Sequence, residues 1–182
     1  MFIRIKKIQN QEYAYLVKNI WRKRKKSSRQ KVTKYLGKVH KTNKTKDVKL
    51  EEFLKIKNLQ DYLKNTEHKK IIKDIIRLEL FNHNFKEITK ATWLYETQNI
   101  KINLRDKKVV NTKSKKLACL EINNNFLCGY TLSRLMDFNP KKGLTELQVG
   151  KQLANSFESA GILVPKEIFV LIAKKILNEI KK

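Results

Sequence analysis

The chain has 182 residues, 41% of them apolar, which is enough for one average domain or for a small module joined to a larger one, and which excludes a disordered chain. It carries 42 Lys and Arg against 17 Asp and Glu, a formal net charge of +25 that favours a polyanionic partner over an acidic one. With no apolar run of about 18 residues and no signal-peptide pattern, it is expected to be soluble and cytoplasmic, without a membrane partner.

The positive charge is concentrated at the N-terminus. Residues 1–46 hold 16 Lys and Arg and a single acid, Glu12, whereas residues 47–182 hold 26 basic and 16 acidic residues. A Lys-rich but otherwise generic composition is the alternative explanation. The uneven distribution instead favours a basic binding module at the start of the chain.

Three strands are predicted within residues 1–40. Phe2–Ile8 alternates apolar and polar residues, and residues 9–11 supply a turn. In the second strand Tyr13, Tyr15, Val17, Asn19 and Trp21 share one face. The third strand, residues 29–36, places Gln30, Val32, Lys34 and Leu36 on one side and Lys31, Thr33 and Tyr35 on the other. The pattern predicts a three-stranded antiparallel meander that ends at Gly37.

The basic connection between the second and third strands is the main candidate binding site. Five successive cations, Arg22 to Lys26, repel one another unless a counter-charge is supplied, and phosphates supply it. Aromatic residues interleaved with basic strands either pack within the sheet or stack on bases. The candidate nucleic-acid-binding residues are Arg22, Lys23, Arg24, Lys25, Lys26, Arg29, Lys31, Lys34, Tyr15, Trp21 and Tyr35.

Short motifs in this region resemble a known protein segment. Phe2-Ile-Arg, Tyr13-Ala-Tyr-Leu-Val and Arg29-Gln-Lys-Val-Thr-Lys-Tyr-Leu-Gly are similar to the extreme N-terminal segment of certain insertion-sequence transposases of the DDE class. The resemblance covers residues 2–39 and implies a small β-rich module that associates with DNA. The rest of the chain does not show the three spaced acids of the catalytic domain of that class, so no catalytic residue is carried over.

The remainder predicts an α+β fold. Residues 41–48 are polar and aperiodic and form the candidate linker between a β-meander module, 1–40, and a second domain, 49–182. Helical periodicity covers residues 49–65 and 68–82, extended runs follow from 92 to 130, and Asn123-Asn-Asn is a tight-turn sequence within a hairpin. Thr131 is the expected N-cap of a short helix.

A helical hairpin is predicted at residues 145–182. Thr145-Glu-Leu-Gln matches a capping box, Gly161 suits a helix C-terminus, and Pro165 suits the first turn of the last helix. A helix-turn-helix is one interpretation, and simple helical packing is favoured because few polar side chains stand at the start of the second helix. These helices are also a possible surface for a protein partner.

The sequence gives little support to catalysis, and no cofactor or metal is predicted. Cys119 and Cys128, expected to be reduced, are far in sequence from any histidine, and no phosphate-binding glycine loop is present. Glu96 and Glu121 are a weak candidate for a nuclease metal site. The expected function is therefore non-catalytic nucleic-acid binding, with DNA slightly favoured, and the alternatives are an RNA- or ribosome-associated protein and a small metal-dependent nuclease.

Overall fold

The computed structural model describes residues 1–89, 94–97 and 99–180 and confirms the α+β class. The strands are β1 (Phe2–Ile8), β2 (Gln11–Arg22), β3 (Ser27–Lys41), β4 (Lys86–Thr89), β5 (Leu94–Glu96), β6 (Ile100–Asn103), β7 (Lys108–Asn111), β8 (Ala118–Ile122) and β9 (Asn125–Leu127). The helices are α1 (Leu50–Leu54), α2 (Leu59–Asn65), α3 (His68–Asn82), α4 (Gly129–Met136), α5 (Glu146–Ala160) and α6 (Lys166–Ile180).

The three predicted N-terminal strands are present and belong to a larger sheet, but β3 does not end at Gly37: it continues to Lys41, because its last residues pair with β8. The order of this five-stranded sheet is β1-β2-β3-β8-β9, and β3 pairs in parallel with β8 from Lys38 opposite Ala118 to Lys41 opposite Glu121. The division into residues 1–40 and 49–182 stays a prediction. The first three strands are nevertheless hydrogen-bonded to the second part of the chain.

The segment predicted as a linker is held by specific bonds. The amides of Thr45 and Lys46 both donate to the carbonyl of Asn82, at 2.8 and 3.1 Å, and the Asn82 side chain accepts from the amide of Val48 at 3.1 Å. Thr42 donates its amide to Glu121 on β8. Residues 42–48 therefore lie along the end of α3 and the edge of β8, although they form no regular element.

Two separate apolar clusters stabilise the fold. The larger one is built by all six helices together with β5 to β9 and includes Ile76, Ile102, Leu120 and Leu153, each fully buried. The smaller one lies behind the five-stranded sheet and contains Ala14, Leu16, Leu36, Val39, Cys119 and Cys128. Because its members come from both ends of the sheet, burial of this cluster attaches the N-terminal strands to β8.

Local turn chemistry explains most element boundaries. Gln9 and Asn10, at φ 46° and 60°, and Asn123 and Asn124, at φ 48° and 60°, form the two-residue turns of hairpins β1–β2 and β8–β9. The capping box predicted at Thr145 is present, since its hydroxyl accepts from the amide of Gln148 at 3.3 Å. The predicted C-terminal helical hairpin is present as α5 and α6.

Several predicted details are wrong. The helix expected over 49–65 is split into α1 and α2, because Lys55 adopts a left-handed conformation at φ 55°. Thr131 is not the N-cap of α4, which begins after Cys128; its hydroxyl instead accepts from the Cys128 amide at 2.9 Å.

A polar network couples α3 to the second sheet, whose order is β4-β5-β6-β7. The guanidinium of Arg77 donates to Asp74 at 2.8 Å, to the Tyr95 hydroxyl at 2.7 Å and to Glu87 at 3.1 Å. Tyr62 of α2 donates to the other oxygen of Asp74 at 2.6 Å. Burial raises the pKa of Tyr95 to about 12, against the opposing effect of Arg77, so its hydroxyl stays protonated at neutral pH.

Candidate nucleic-acid interface

The tip of hairpin β2–β3 is a two-stranded projection, which we call the arm and define as residues 18–31. Its paired residues run from Lys18 opposite Lys31 to Arg22 opposite Ser27. Strand β1 reaches only as far as the pair Phe2 and Val17, and β8 pairs with β3 from Lys38 onward. Within the arm, each strand therefore has only the other strand as its partner.

None of the arm residues is buried, so the arm contributes nothing to either apolar cluster. Every residue from 18 to 31 is exposed except Arg22, which is half-buried. The arm holds eight Lys and Arg and no acid. An isolated two-stranded hairpin is at best marginally stable, so the arm depends on the anchored half of β2 and β3 for its shape.

The end of the arm concentrates five of these cations. Arg22 closes β2, Lys23, Arg24 and Lys25 form a single 3₁₀ turn, and Lys26 adopts a left-handed conformation at φ 41°. A lysine in this conformation costs free energy, because its Cβ crowds the backbone. The turn thus places cations on all sides of a narrow tip, where folding alone gains nothing from them.

Alternation along the strands gives the arm two different faces. The neutral face carries Asn19, Trp21, Ser28 and Gln30, with Asn19 opposite Gln30 and Trp21 opposite Ser28. The basic face carries Lys18, Ile20, Arg22, Ser27, Arg29 and Lys31. The predicted binding residues Arg29 and Lys31 therefore lie on one face of the arm, and Trp21, 61% exposed, lies on the other.

The predicted face assignment of β3 is wrong for Tyr35 and for Lys34, which lies opposite Leu16 and so does not share the face of Gln30 and Val32. Between Ala14 and Tyr15 the pairing skips Leu36, and between Leu16 and Val17 it skips Thr33. Two β-bulges on one strand interrupt the period of two on which the prediction depended. As a result Tyr35 lies opposite Tyr15 and shares its face rather than that of Lys31.

These bulges assemble a group of three aromatic rings, the tyrosine cluster, below the arm. The ring centroid of Tyr35 is 5.4 Å from that of Tyr15 and 6.4 Å from that of Tyr13, and the Lys6 ammonium lies 5.2 Å from the Tyr15 ring centre. Burial, together with the neighbouring phenols, raises the pKa of Tyr35, so it remains a hydrogen-bond donor at neutral pH. Tyr15 and Tyr35 both pack and present an edge to solvent.

Sequence reasoning missed several residues that the register places beside the predicted ones. Lys18, Asn19 and Gln30 belong to the arm, and Arg4, which donates a hydrogen bond to the Gln30 side chain, lies on the same side of the sheet as the neutral face. Lys34, a predicted contact, is exposed opposite Leu16 below the arm. The sequence did contain a signal for this face: Asn19 and Trp21 are two residues apart, as are Ser28 and Gln30, and residues two apart in a strand lie on the same face.

The structure does not bring together the two residues of the nuclease hypothesis, Glu96 and Glu121. Glu96 lies on β5 and lines an open cleft of about 620 Å³, whereas Glu121 lies on β8 in the other sheet, with its carboxylate 3.4 Å from the Lys41 ammonium. Across residues 1–89, 94–97 and 99–180, no three His, Cys, Asp or Glu side chains are grouped so that they would hold a metal ion.

The two cysteines lie behind the sheet that carries the arm. Both are free and fully buried in the smaller apolar cluster. A hydrogen bond between the thiols, followed by burial, raises the pKa of Cys119, and the same bond lowers the pKa of Cys128. The position of both thiols in the anchoring cluster gives them a packing role beneath the N-terminal strands.

Comparisons with known proteins give no match for the chain: no protein family, no curated protein and no solved structure matches it. In the part of the chain that the structure describes, none of the helices has the length and apolar character needed to cross a membrane.

Proposed function

We propose that this protein binds nucleic acid without catalysing a reaction, and that the arm makes the main contacts with the phosphate backbone. The observation that carries the proposal is a fully projecting two-stranded arm with eight cations, no acid and no buried side chain. Like charges gathered on such a narrow element repel one another unless a polyanion neutralises them. Displacement of condensed counterions from the nucleic acid then supplies the binding free energy.

DNA is the favoured ligand, and structured RNA is the alternative. The preference for DNA rests on the resemblance of residues 2–39 to a transposase segment. The tyrosine cluster offers an additional surface on which unstacked bases of either nucleic acid would pack, because every base has an aromatic face. Phosphate contacts through the arm are common to both ligands, so they are the first feature to test.

The test is charge reversal at the tip, with Arg24, Lys25 and Lys26 changed to Glu. Binding of fluorescent duplex DNA is measured by anisotropy over a range of salt concentrations. We expect at least tenfold weaker binding at low salt and a log–log salt slope that is flatter by about 3, since each phosphate contact contributes about 0.9. The three residues are exposed and make no core contacts, so the fold is expected to persist, which circular dichroism checks.

In the matched control, three exposed lysines on α5 and in the loop before it are changed to Glu: Lys141, Lys142 and Lys151. This variant has the same net charge as the tip variant, so it reports the general electrostatic effect alone. Equal losses in both variants would mean that the arm is not the site, and so would an unchanged affinity and slope in the tip variant. Cleavage of the DNA when Mg²⁺ is added, and its loss in Glu121→Ala, would instead support the nuclease alternative.

A further inference from the structure

The size of the arm restricts the nucleic-acid surface that it can enter. Five residue pairs, Lys18–Arg22 with Ser27–Lys31, form a ribbon about 17 Å long at about 3.4 Å per residue, and its strands lie about 4.8 Å apart. The major groove of B-form DNA is about 12 Å wide and about 8.5 Å deep, and it accepts a two-stranded β-ribbon. The major groove of A-form RNA is too deep and narrow for side chains to read.

The neutral face has the chemistry of base recognition. Amide side chains such as those of Asn19 and Gln30 donate to and accept from the adenine edge, and Ser28 adds a hydroxyl that does either. Arg4 donates to the Oε1 atom of Gln30, which holds this amide in place; its N–H groups stay available as donors, and the second lone pair of Oε1 stays available as an acceptor. Donors in this position match the acceptors that purine N7 and thymine O4 present in the major groove.

Trp21 is the largest apolar side chain on the arm, and folding leaves it 61% exposed. It lies next to Asn19 along the neutral face and opposite Ser28, and it is not part of the smaller apolar cluster behind the sheet. Because the arm buries none of its side chains, only a bound partner would cover Trp21. Thymine methyl groups in the major groove provide an apolar surface of this kind.

The basic face carries the charges that suit phosphate contacts, whereas the neutral face carries the groups that suit base contacts. Its cations are Lys18, Arg22, Arg29 and Lys31. If the neutral face is turned toward the floor of the groove, the basic face is turned toward its mouth, where the phosphates of both strands lie. Long Lys and Arg side chains reach those phosphates from either edge of the ribbon, and the tip cations follow the backbone beyond the last base contact.

We propose that the arm lies in the major groove of double-stranded B-form DNA, with Asn19, Trp21, Ser28 and Gln30 facing the base edges, and that the protein is therefore sequence-selective. This inference rests on the proposed function and deepens it by assigning the ligand class and the residues that read it. Amide readers favour sites that contain A·T pairs.

The experiment selects binding sequences from a pool of duplex DNA with a randomised centre, using the full-length protein. Asn19→Ala/Gln30→Ala is compared with Lys18→Ala/Lys31→Ala, which removes the directly opposed pair one position earlier on the basic face. Affinities for the selected duplex, for an unrelated duplex and for a double-stranded RNA of equal length are then measured.

We expect the wild-type protein to enrich a sequence and to bind it at least tenfold more tightly than the unrelated duplex. In Asn19→Ala/Gln30→Ala this preference should fall by about tenfold or more, while affinity for the unrelated duplex changes less than about twofold. Lys18→Ala/Lys31→Ala should weaken binding to both duplexes alike. Asn19→Ala alone, which leaves the bond between Arg4 and Gln30 intact, should show part of the same loss.

Three results would overturn the inference while leaving the proposed function standing: no enriched sequence, a preference that survives in Asn19→Ala/Gln30→Ala, or equal affinity for double-stranded RNA. A preference lost only in Lys18→Ala/Lys31→Ala would mean that the basic face reads the bases, and it too overturns the assignment. If the wild-type protein binds no nucleic acid even at low salt, the proposed function itself fails.

Discussion

The arginine residues of this protein are found in two different environments. Some are paired with carboxylates inside the fold, and others are exposed at the tip of the arm. Arg77 donates hydrogen bonds to Asp74, Tyr95 and Glu87, and the two carboxylates balance its charge. Arg24 and its neighbours at the tip of the arm are exposed, with other cations beside them. A paired, partly buried arginine stabilises the fold, whereas exposed cations on a projection leave their charge for a ligand.

The first prediction concerns Arg77. Changing it to Met should lower the free energy of unfolding by about 3 kcal/mol, because the buried carboxylate of Asp74 and the Glu87 carboxylate lose their shared counter-charge. Urea unfolding followed by circular dichroism measures the loss. Lys70→Met, at an exposed position of the same helix, is the control and should change stability by less than about 0.5 kcal/mol. Equal stability of the two variants would contradict a stabilising role for the network.

At the scale of elements, β3 is the strand that connects the arm to the rest of the fold. Its first five residues belong to the arm, its central part carries the two bulges, and its last residues pair with β8. Gly37 lies where these roles meet, opposite Ala14 and just before the pairing with Ala118. Its φ of +133° suits glycine, and a Cβ there would lie 2.6 Å from backbone atoms of Leu117 and Ala118.

The prediction at this scale is that Gly37→Ala destabilises the protein by about 3 kcal/mol through strain and overpacking. It should also speed amide hydrogen exchange at the β3–β8 pairing before other regions, because the clash is with β8 itself. Gly150→Ala is the matched control: a Cβ at this helical glycine has no neighbour within 4 Å, so stability should rise by about 0.5 kcal/mol. An unaltered exchange pattern in Gly37→Ala would show that the backbone moves aside at little cost.

For the whole molecule, the net charge of +25 acts on stability as well as on binding. Self-repulsion among the cations opposes the compact state, and salt screens this repulsion over a Debye length of about 8 Å at physiological ionic strength. Under the proposed function, a polyanion that binds the folded arm would remove the same repulsion and would stabilise the folded state further, because it does not bind the unfolded chain in the same way.

We therefore expect the free energy of unfolding in urea to rise between low salt and about 0.15 M NaCl. The variant with Glu at positions 24, 25 and 26 should gain less from salt, since it begins with fewer positive charges. Sucrose, which stabilises proteins without screening charge, provides the comparison. A rise of equal size in both proteins would place the repulsion outside the arm, and stability that falls with salt would contradict the charge argument.

The elements that could be predicted from sequence share one property: their signal is local. Periodicity predicted α3, the capping box predicted the start of α5, and the Asn-rich turn predicted the β8–β9 hairpin. The strands of the N-terminal meander alternate over a few residues and were predicted in the same way. The split between α1 and α2 was missed because a lysine in a left-handed conformation carries no sequence signal.

The sequence alone determined the composition of the arm, since the eight cations between residues 18 and 31, with no acid among them, do not depend on how the chain folds. Only the tertiary structure decided what the arm is attached to and which faces it presents. Parallel pairing of β3 with β8 joins residues about 80 positions apart, and the two bulges shift the register of β3 against β2. Charge is a property of residues, whereas register depends on contacts between distant segments, and the proposed base recognition by the arm depends on register.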